Sequence, residues 1–155
     1  MQPIINDTEI MAIYNKADDA GKATLKAAFG SKPFEINLRD TITSFEAGLK
    51  YKGLSSADVL PVVPHEMYPS VISQQGFAKL IFLAAIFLNG WTPELDNPNQ
   101  KKWFPWFTSS GSGLSFDDAG YVSDAFVASR LYFPTEELAR WFGKTFIKYY
   151  EEYYS

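Results

Sequence analysis

The stretch from Gly76 to Trp91 constrains the fold of this chain more than any other. Its sequence is GFAKLIFLAAIFLNGW, and all nine residues from Leu80 to Leu88 are apolar. A helix that is apolar on all sides has to be covered on all sides. The sequence therefore predicts a buried central helix that begins near 69–73 and ends at Asn89-Gly90, a strong helix terminator.

The same stretch bears on localisation. A run of nine apolar residues is well short of the roughly 20 that cross a bilayer. The first residues, MQPIINDTEIM, show no basic segment followed by a long apolar run, so no secretory signal is predicted. We therefore expect no membrane partner and a cytoplasmic protein.

Composition excludes several classes of function. The chain has 155 residues, no cysteine and a net charge of -4. Without cysteine there are no disulfides, thiolate metal sites or cysteine nucleophiles. A net acidic chain disfavours nonspecific duplex binding, which needs many contacts between Lys or Arg and phosphate.

The chain before the central helix is predicted to be helical. Residues 1–54 form a helical N-terminal segment, with one or two helices over 7–29 and another over 40–52. Three prolines within 61–69 forbid a regular long helix, so 55–70 is predicted to be a connector and a candidate boundary. Residues 71–155 form an α+β core, and we expect the three segments to pack as one compact unit.

After the central helix the pattern changes to that of strands. Aromatic residues around Pro105 predict an edge strand or a bulged strand, 114–116 a second strand, 117–120 a turn, and 121–133 one or two further strands. Pro134-Thr135-Glu136-Glu137 then begins a last helix that runs to about Tyr153. It contains Gly143, which predicts close packing against a neighbour. The predicted fold class is α+β: N-terminal helices, a buried central helix, a small antiparallel β-meander and a closing C-terminal helix.

Two candidate surfaces emerge. Aromatic rings beside basic residues are typical of platforms for single-stranded nucleic acid, since bases stack on the rings and lysines contact phosphates. The candidate binding residues are Lys101, Lys102, Trp103, Trp106 and Arg130. The alternative is that these rings alternate between the faces of the sheet and that the inner ones are core. Tyrosines are also favoured at protein interfaces, and the candidate interface residues are Tyr149, Tyr150, Tyr153 and Tyr154.

The sequence shows no catalytic or metal-binding signature. His65 is the only histidine, and no residue pattern supplies a nucleophile with its base. The loop with Asp96, Asn97 and Asn99 lacks the ligand spacing of a calcium loop, and turn chemistry explains it. The acids Asp117, Asp118 and Asp124 could together hold a cation, but a solvated hairpin turn is the preferred interpretation. We therefore expect no cofactor and no metal.

Several motifs occur together in one order. They are Asn89-Gly90-Trp91-Thr92-Pro93, the run from Asn97 to Phe107, Ala128-Ser129-Arg130-Leu131-Tyr132-Phe133, and Glu136-Glu137-Leu138-Ala139 with Gly143-Lys144 and Phe146. This order resembles that of small uncharacterised proteins of bacteroidete phages and prophages, and it covers most of the chain. The pattern differs at Ala128, where that family usually has Gly, and at Tyr132, where it often has Cys. The resemblance implies a soluble phage-borne or bacterial protein, located in the cytoplasm or in a phage virion within a bacterial host. It implies no functional residues.

Three functions remain open at this point. The leading hypothesis is a non-enzymatic structural or protein-interaction protein of phage or bacterial origin, with an unidentified protein partner or self-association. The second is a single-stranded nucleic-acid-binding protein that uses 103–107. The third is an enzyme whose site is assembled from dispersed acids and Arg130.

Overall fold

The chain folds into helices and one small antiparallel sheet, so the predicted α+β class is confirmed. The structure is a computed structural model that describes residues 7–30, 37–62, 70–123 and 131–155. The chain divides into two compact units, Met1–Asp58 and Val59–Ser155. The boundary between the units lies inside the predicted connector 55–70.

The first unit is helical. Helices α1 (Asp7–Lys16), α2 (Asp19–Phe29), α3 (Leu38–Thr41) and α4 (Phe45–Lys52) are followed by a 3₁₀ turn at Ser56–Asp58. Helix α1 packs against α4, and the Asn15 side chain donates a hydrogen bond to the Tyr51 carbonyl. The single helix predicted over 40–52 is wrong, because Ser44 begins a new helix by accepting a hydrogen bond from the Ala47 N–H.

Helix α5 (Ser70–Leu88) corresponds to the predicted central helix. It ends where predicted, since Asn89 (φ 46°) and Gly90 (φ 82°) adopt left-handed backbone angles. Its predicted burial on all sides is wrong. Leu80 and Leu83 are fully buried, but Ile81 is 40% exposed. Helix α7 (Ile147–Tyr154) packs along one side of α5, and a single helix can cover only the side that it contacts.

The strands β1 (Lys102–Ser110) and β2 (Gly113–Val122) form an antiparallel hairpin. The predicted turn at 117–120 is wrong, because β2 continues through these residues. The register shifts between Trp106 and Phe107, which pair with Asp118 and Phe116, so Asp117 is the extra residue of a bulge. Pairing with the aromatic strand outweighs the local turn preference of this acidic segment.

The predicted third strand is described only at its end. Phe133 exchanges two backbone hydrogen bonds with Trp103, in an isolated antiparallel bridge. The rest of that prediction falls on 124–130, which lie outside the described residues. Trp103 is therefore flanked by β2 on one side and by Phe133 on the other, so β1 is not an edge strand at this residue.

The predicted closing helix is two helices, α6 (Glu136–Thr145) and α7. Thr135 caps α6 by accepting a hydrogen bond from the Leu138 N–H, as predicted. The predicted single helix is wrong because Phe146 leaves the helical conformation (φ -110°, ψ 22°). The Tyr149 N–H then bonds to the Phe146 carbonyl, three residues back rather than four.

Aromatic rings fill the core between α5, α6 and the hairpin. Phe142 lies 4.7 Å from both Phe133 and Phe146, measured between ring centroids. Helix α6 approaches β1 so closely that a Cβ atom at Gly143 would lie 2.5 Å from the Pro105 Cβ. The predicted close packing at this glycine is confirmed. The core therefore fixes the hairpin on α6, while α7 holds α5.

Candidate interaction surfaces

Lys102 is not a surface residue. It is the first residue of β1, its exposed fraction is 0%, and its ammonium group donates three hydrogen bonds to backbone carbonyls. The acceptors are Asn97 (2.9 Å), Gln100 (2.9 Å) and Ser123 (2.8 Å). The proposed role of Lys102 in binding is therefore wrong, because its charge is used to fasten the loop before β1 to the end of β2.

The predicted aromatic platform is divided between the two faces of the hairpin. Trp103 pairs with Tyr121 in the strand register, and their ring centroids lie 5.0 Å apart. Because successive side chains of a strand point to opposite faces, Trp106 lies on the other face. There it is 54% exposed, 6.0 Å from the Phe104 ring. The two tryptophans therefore do not form one continuous stacking surface.

Lys101, directly before β1, is the remaining candidate cation that the structure describes here. Its ammonium group lies 4.7 Å from the centroid of the Tyr121 ring and 5.9 Å from that of Trp103. Sequence reasoning missed Tyr121, which is 50% exposed, because it assigned this residue to a third strand. Arg130 and His65 lie outside the described residues. What remains on this face is one lysine above two rings.

The C-terminal tyrosines are divided between the core and the surface. Tyr149 and Tyr150 are buried, and the Tyr150 ring lies 4.5 Å from that of Phe107. The prediction that these two belong to an interface is wrong, because α7 turns them toward the core. Tyr153 stacks on Phe77 of α5 at 4.9 Å, and Tyr154 is 63% exposed.

The Tyr150 hydroxyl is buried without a hydrogen-bond partner among the residues that the structure describes. Burial raises the pKa of Tyr150 well above its ordinary value of 10.0, because the phenolate would lose its hydration. Burial also raises the pKa of Tyr154, and Tyr153 adds to this shift. The neutral Tyr150 is thus a ring that fills space.

Asp118, one of the acids weighed above as a cation site, has another partner. Arg140 of α6 forms ion pairs with Asp118 of β2 and with Glu136 one turn earlier. In the loop before β1, the Asn97 side chain accepts a hydrogen bond from the Asn99 N–H, as in a turn. Among 7–30, 37–62, 70–123 and 131–155, no group of three or more His, Asp and Glu residues could hold a metal ion.

Helix α5 is fastened to α7 along its buried face. The Lys79 ammonium group lies 2.6 Å from the Glu152 carboxylate, and the Ser73 hydroxyl donates a hydrogen bond to the Tyr153 carbonyl. A Cβ atom at Gly76 would lie 2.7 Å from the Tyr153 backbone nitrogen. The two helices are therefore in contact through their backbones.

The opposite face of α5 carries a second row of side chains that recur at alternating intervals of three and four. Three of them are exposed and three are half-buried. We call this row the α5 stripe; its residues are Val71, Gln74, Ala78, Ile81, Ala85 and Leu88. Sequence reasoning missed the α5 stripe because it assumed cover on all sides. The signal that could have revealed it is the seven-residue interval between Ala78 and Ala85, which is typical of a helix-pairing face.

Within the described part of the chain, one helical segment passes the test of length and composition for crossing a membrane. It is Val71–Leu88, with a mean hydropathy of 1.7, and 28% of its residues are buried. The core helix of a soluble protein can pass the same test.

No protein family, curated protein or solved structure matches this chain. The order of motifs that resembles the bacteroidete phage proteins stays a prediction.

Proposed function

We propose that this chain is a non-enzymatic protein-interaction protein and that the α5 stripe is its contact surface. The observation that carries this proposal is the one-sided cover of α5. The helix contains 19 residues, of which Lys79 is the only charged one, yet Ile81 and Ala85 on the side opposite α7 are exposed. Removing apolar surface from water is favourable by about 25 cal/mol for each Å² buried. A partner that covers the stripe therefore gains this free energy on binding.

A protein partner fits this helix better than a lipid bilayer does. Lys79 lies near the middle of α5, where insertion of a lysine into a bilayer costs about 2.5–3.5 kcal/mol. Its ion pair with Glu152 would have to break, or α7 would have to follow α5 into the membrane. Helix α7 carries Lys148 and Glu151 as well, which makes that course costly. We therefore keep the expectation of no membrane partner as part of this proposal.

Nucleic-acid binding is less well supported as an alternative. Burial of Lys102 leaves Lys101, directly before β1, as the described candidate cation, and the two tryptophans face opposite ways. Tracking a phosphate backbone needs a row of cations. Tyr121 and Lys101 nevertheless offer a small stacking site, so this alternative has its own test below.

An enzymatic function has no assembled site among the described residues. Asp118 and Glu136 form ion pairs with Arg140. Arg130, which the enzymatic hypothesis places in the site, lies outside the described residues. We therefore propose a non-enzymatic role, in a bacterial cytoplasm or a phage particle, the origin that the motif resemblance implies.

Photocrosslinking tests the proposed surface. Because the chain has no cysteine, a single thiol can carry a benzophenone at one chosen place. Gln74→Cys places it within the α5 stripe, and Thr24→Cys of α2 is an exposed, polar helical control. The labelled chains are irradiated alone and in a bacterial cell extract, with unlabelled wild-type or Ile81→Glu chain as competitor.

The proposal predicts a discrete adduct from position 74, absent from position 24, that the wild-type competitor removes and the Ile81→Glu competitor does not. Adducts of equal yield from both positions, or no adduct from position 74 in either preparation, would refute it.

A further inference from the structure

We infer that the partner of the α5 stripe is a second copy of the same chain, bound with its α5 antiparallel to the first. This inference rests on the proposed function and names its partner. Three features of the stripe support it: the spacing of its residues, the order of their sizes, and the position of the only charge on the helix.

The shape of the stripe fits a helix as the partner. Intervals of three and four residues keep a row of side chains on one side of a helix over its whole length, as in two-stranded coiled coils. The α5 stripe keeps these intervals from Val71 to Leu88. With 19 residues at about 1.5 Å each, α5 offers an uninterrupted contact about 28 Å long.

The order of sizes indicates an antiparallel second copy. When two α5 helices overlap fully in opposite directions, Ala78 of one copy faces Ile81 of the other. Ala85 then faces Gln74, and Val71 faces Leu88. Both alanine layers thus combine a small residue with a larger one. A parallel pair would place alanine against alanine in two layers and isoleucine against isoleucine in another, and such layers differ too much in volume to pack evenly.

The charge distribution permits this approach. Helix α5 has no acidic residue, and Lys79 is on the far side, where it pairs with Glu152. Two copies can therefore meet without placing like charges together. The contact involves fewer than the 20–30 residues on each side of a standard interface, so we expect a dimer that dissociates in roughly the micromolar range.

Analytical ultracentrifugation of the full chain between about 1 and 500 μM tests the dimer, in a range that brackets the affinity expected for a small interface. Wild type should change from monomer to dimer as concentration rises. Ile81→Glu places a carboxylate in each copy's contact and should weaken dimerisation by ~100-fold or more. Ile13→Glu, the matched change at a 54% exposed isoleucine of α1, should alter it by less than ~3-fold.

Disulfide trapping tests the direction. Ala78→Cys and Ile81→Cys chains are mixed in equal amounts and oxidised, and the products are weighed by mass spectrometry. The antiparallel pair brings position 78 of one copy to position 81 of the other, so the mixed disulfide should dominate. A parallel pair would instead yield each variant linked to itself, and that result would overturn the inference.

A wild-type chain that stays monomeric to 500 μM, or a dimer that Ile81→Glu leaves unchanged, would also overturn it. If the chain stays monomeric while the extract gives the competed adduct at position 74, the partner is a different protein and the proposed function stands. If phosphatidylcholine vesicles instead bind wild type but not Ile81→Glu, both the inference and the proposed function fail.

Discussion

Replacing Lys102 with methionine tests the part of the structure that departs most from expectation. Methionine keeps most of the apolar stem and removes the ammonium group. The carbonyls of Asn97, Gln100 and Ser123 then lose a charged donor. A buried acceptor left without a partner costs about 1–3 kcal/mol.

The three losses do not add in full. Asn97, Gln100 and Ser123 are half-buried residues, so water can reach some of the freed carbonyls. The variant also no longer has to dehydrate an ammonium group. We therefore expect Lys102→Met to lower the free energy of unfolding by about 2–4 kcal/mol. In a unit of about 100 residues this lowers Tm by roughly 10–30 °C.

Thermal unfolding followed by circular dichroism gives the comparison, and the preceding residue supplies the control. Lys101→Met removes the same charge from an exposed side chain whose ammonium group lies over the Trp103 and Tyr121 rings, so it should change stability by no more than about 1 kcal/mol. If the two variants melt within about 2 °C of each other, a few tenths of a kcal/mol, Lys102 is not a buried clamp. Its exclusion from the binding surface would then be unfounded.

Three further predictions concern the core and the alternative site. Leu83→Asp should cost several kcal/mol because it buries a carboxylate, while Ile81→Asp at the exposed face should cost about 1 kcal/mol or less; equal melting temperatures would contradict one-sided burial. Tyr150→Phe should be neutral or stabilising by up to about 1 kcal/mol, since it removes a buried hydroxyl without a described partner. Because the folded pKa of Tyr150 is raised, the unfolded chain releases that proton first. Wild type should therefore lose stability more steeply than Tyr150→Phe above about pH 10, as read by urea unfolding at several pH values. Finally, labelled single-stranded oligonucleotides should not bind at low salt; salt-sensitive binding that Trp103→Ala abolishes without unfolding the chain would restore the nucleic-acid hypothesis.

Helix ends were the most predictable part of this fold, because they depend on a few adjacent residues. Asn89-Gly90 stops α5 by adopting left-handed angles, and Thr135 caps α6 with its hydroxyl. Both features depend on a dipeptide or a short motif, so the sequence alone is enough to locate them.

Strand limits and buried charges were not predictable in this way. Asp117-Asp118-Ala119-Gly120 has the composition of a turn, but pairing with β1 extends it, and a bulge accommodates the extra residue. Lys102 reads as a surface charge, and its burial depends on carbonyls from the loop before β1 and from the end of β2. These groups come together only when the hairpin closes.

The burial of α5 shows the limit of hydropathy itself. Its composition correctly predicts that Leu80 and Leu83 are buried. Hydropathy describes what a side chain prefers and not whether the rest of the chain supplies a cover. Helix α7 covers the face that carries Gly76 and Lys79, and the α5 stripe is left for a partner.

Thiol labelling in dilute solution tests this one-sided cover most directly. The chain has no cysteine, so Ile81→Cys and Leu83→Cys each carry one reactive group on the same helix, two residues apart. We predict that Cys at position 81 reacts within ~10-fold of a free thiol, whereas position 83 reacts ~100-fold more slowly, because it requires local unfolding. If position 81 is protected as strongly as position 83, the exposed face of α5 does not exist and the proposed function loses its basis.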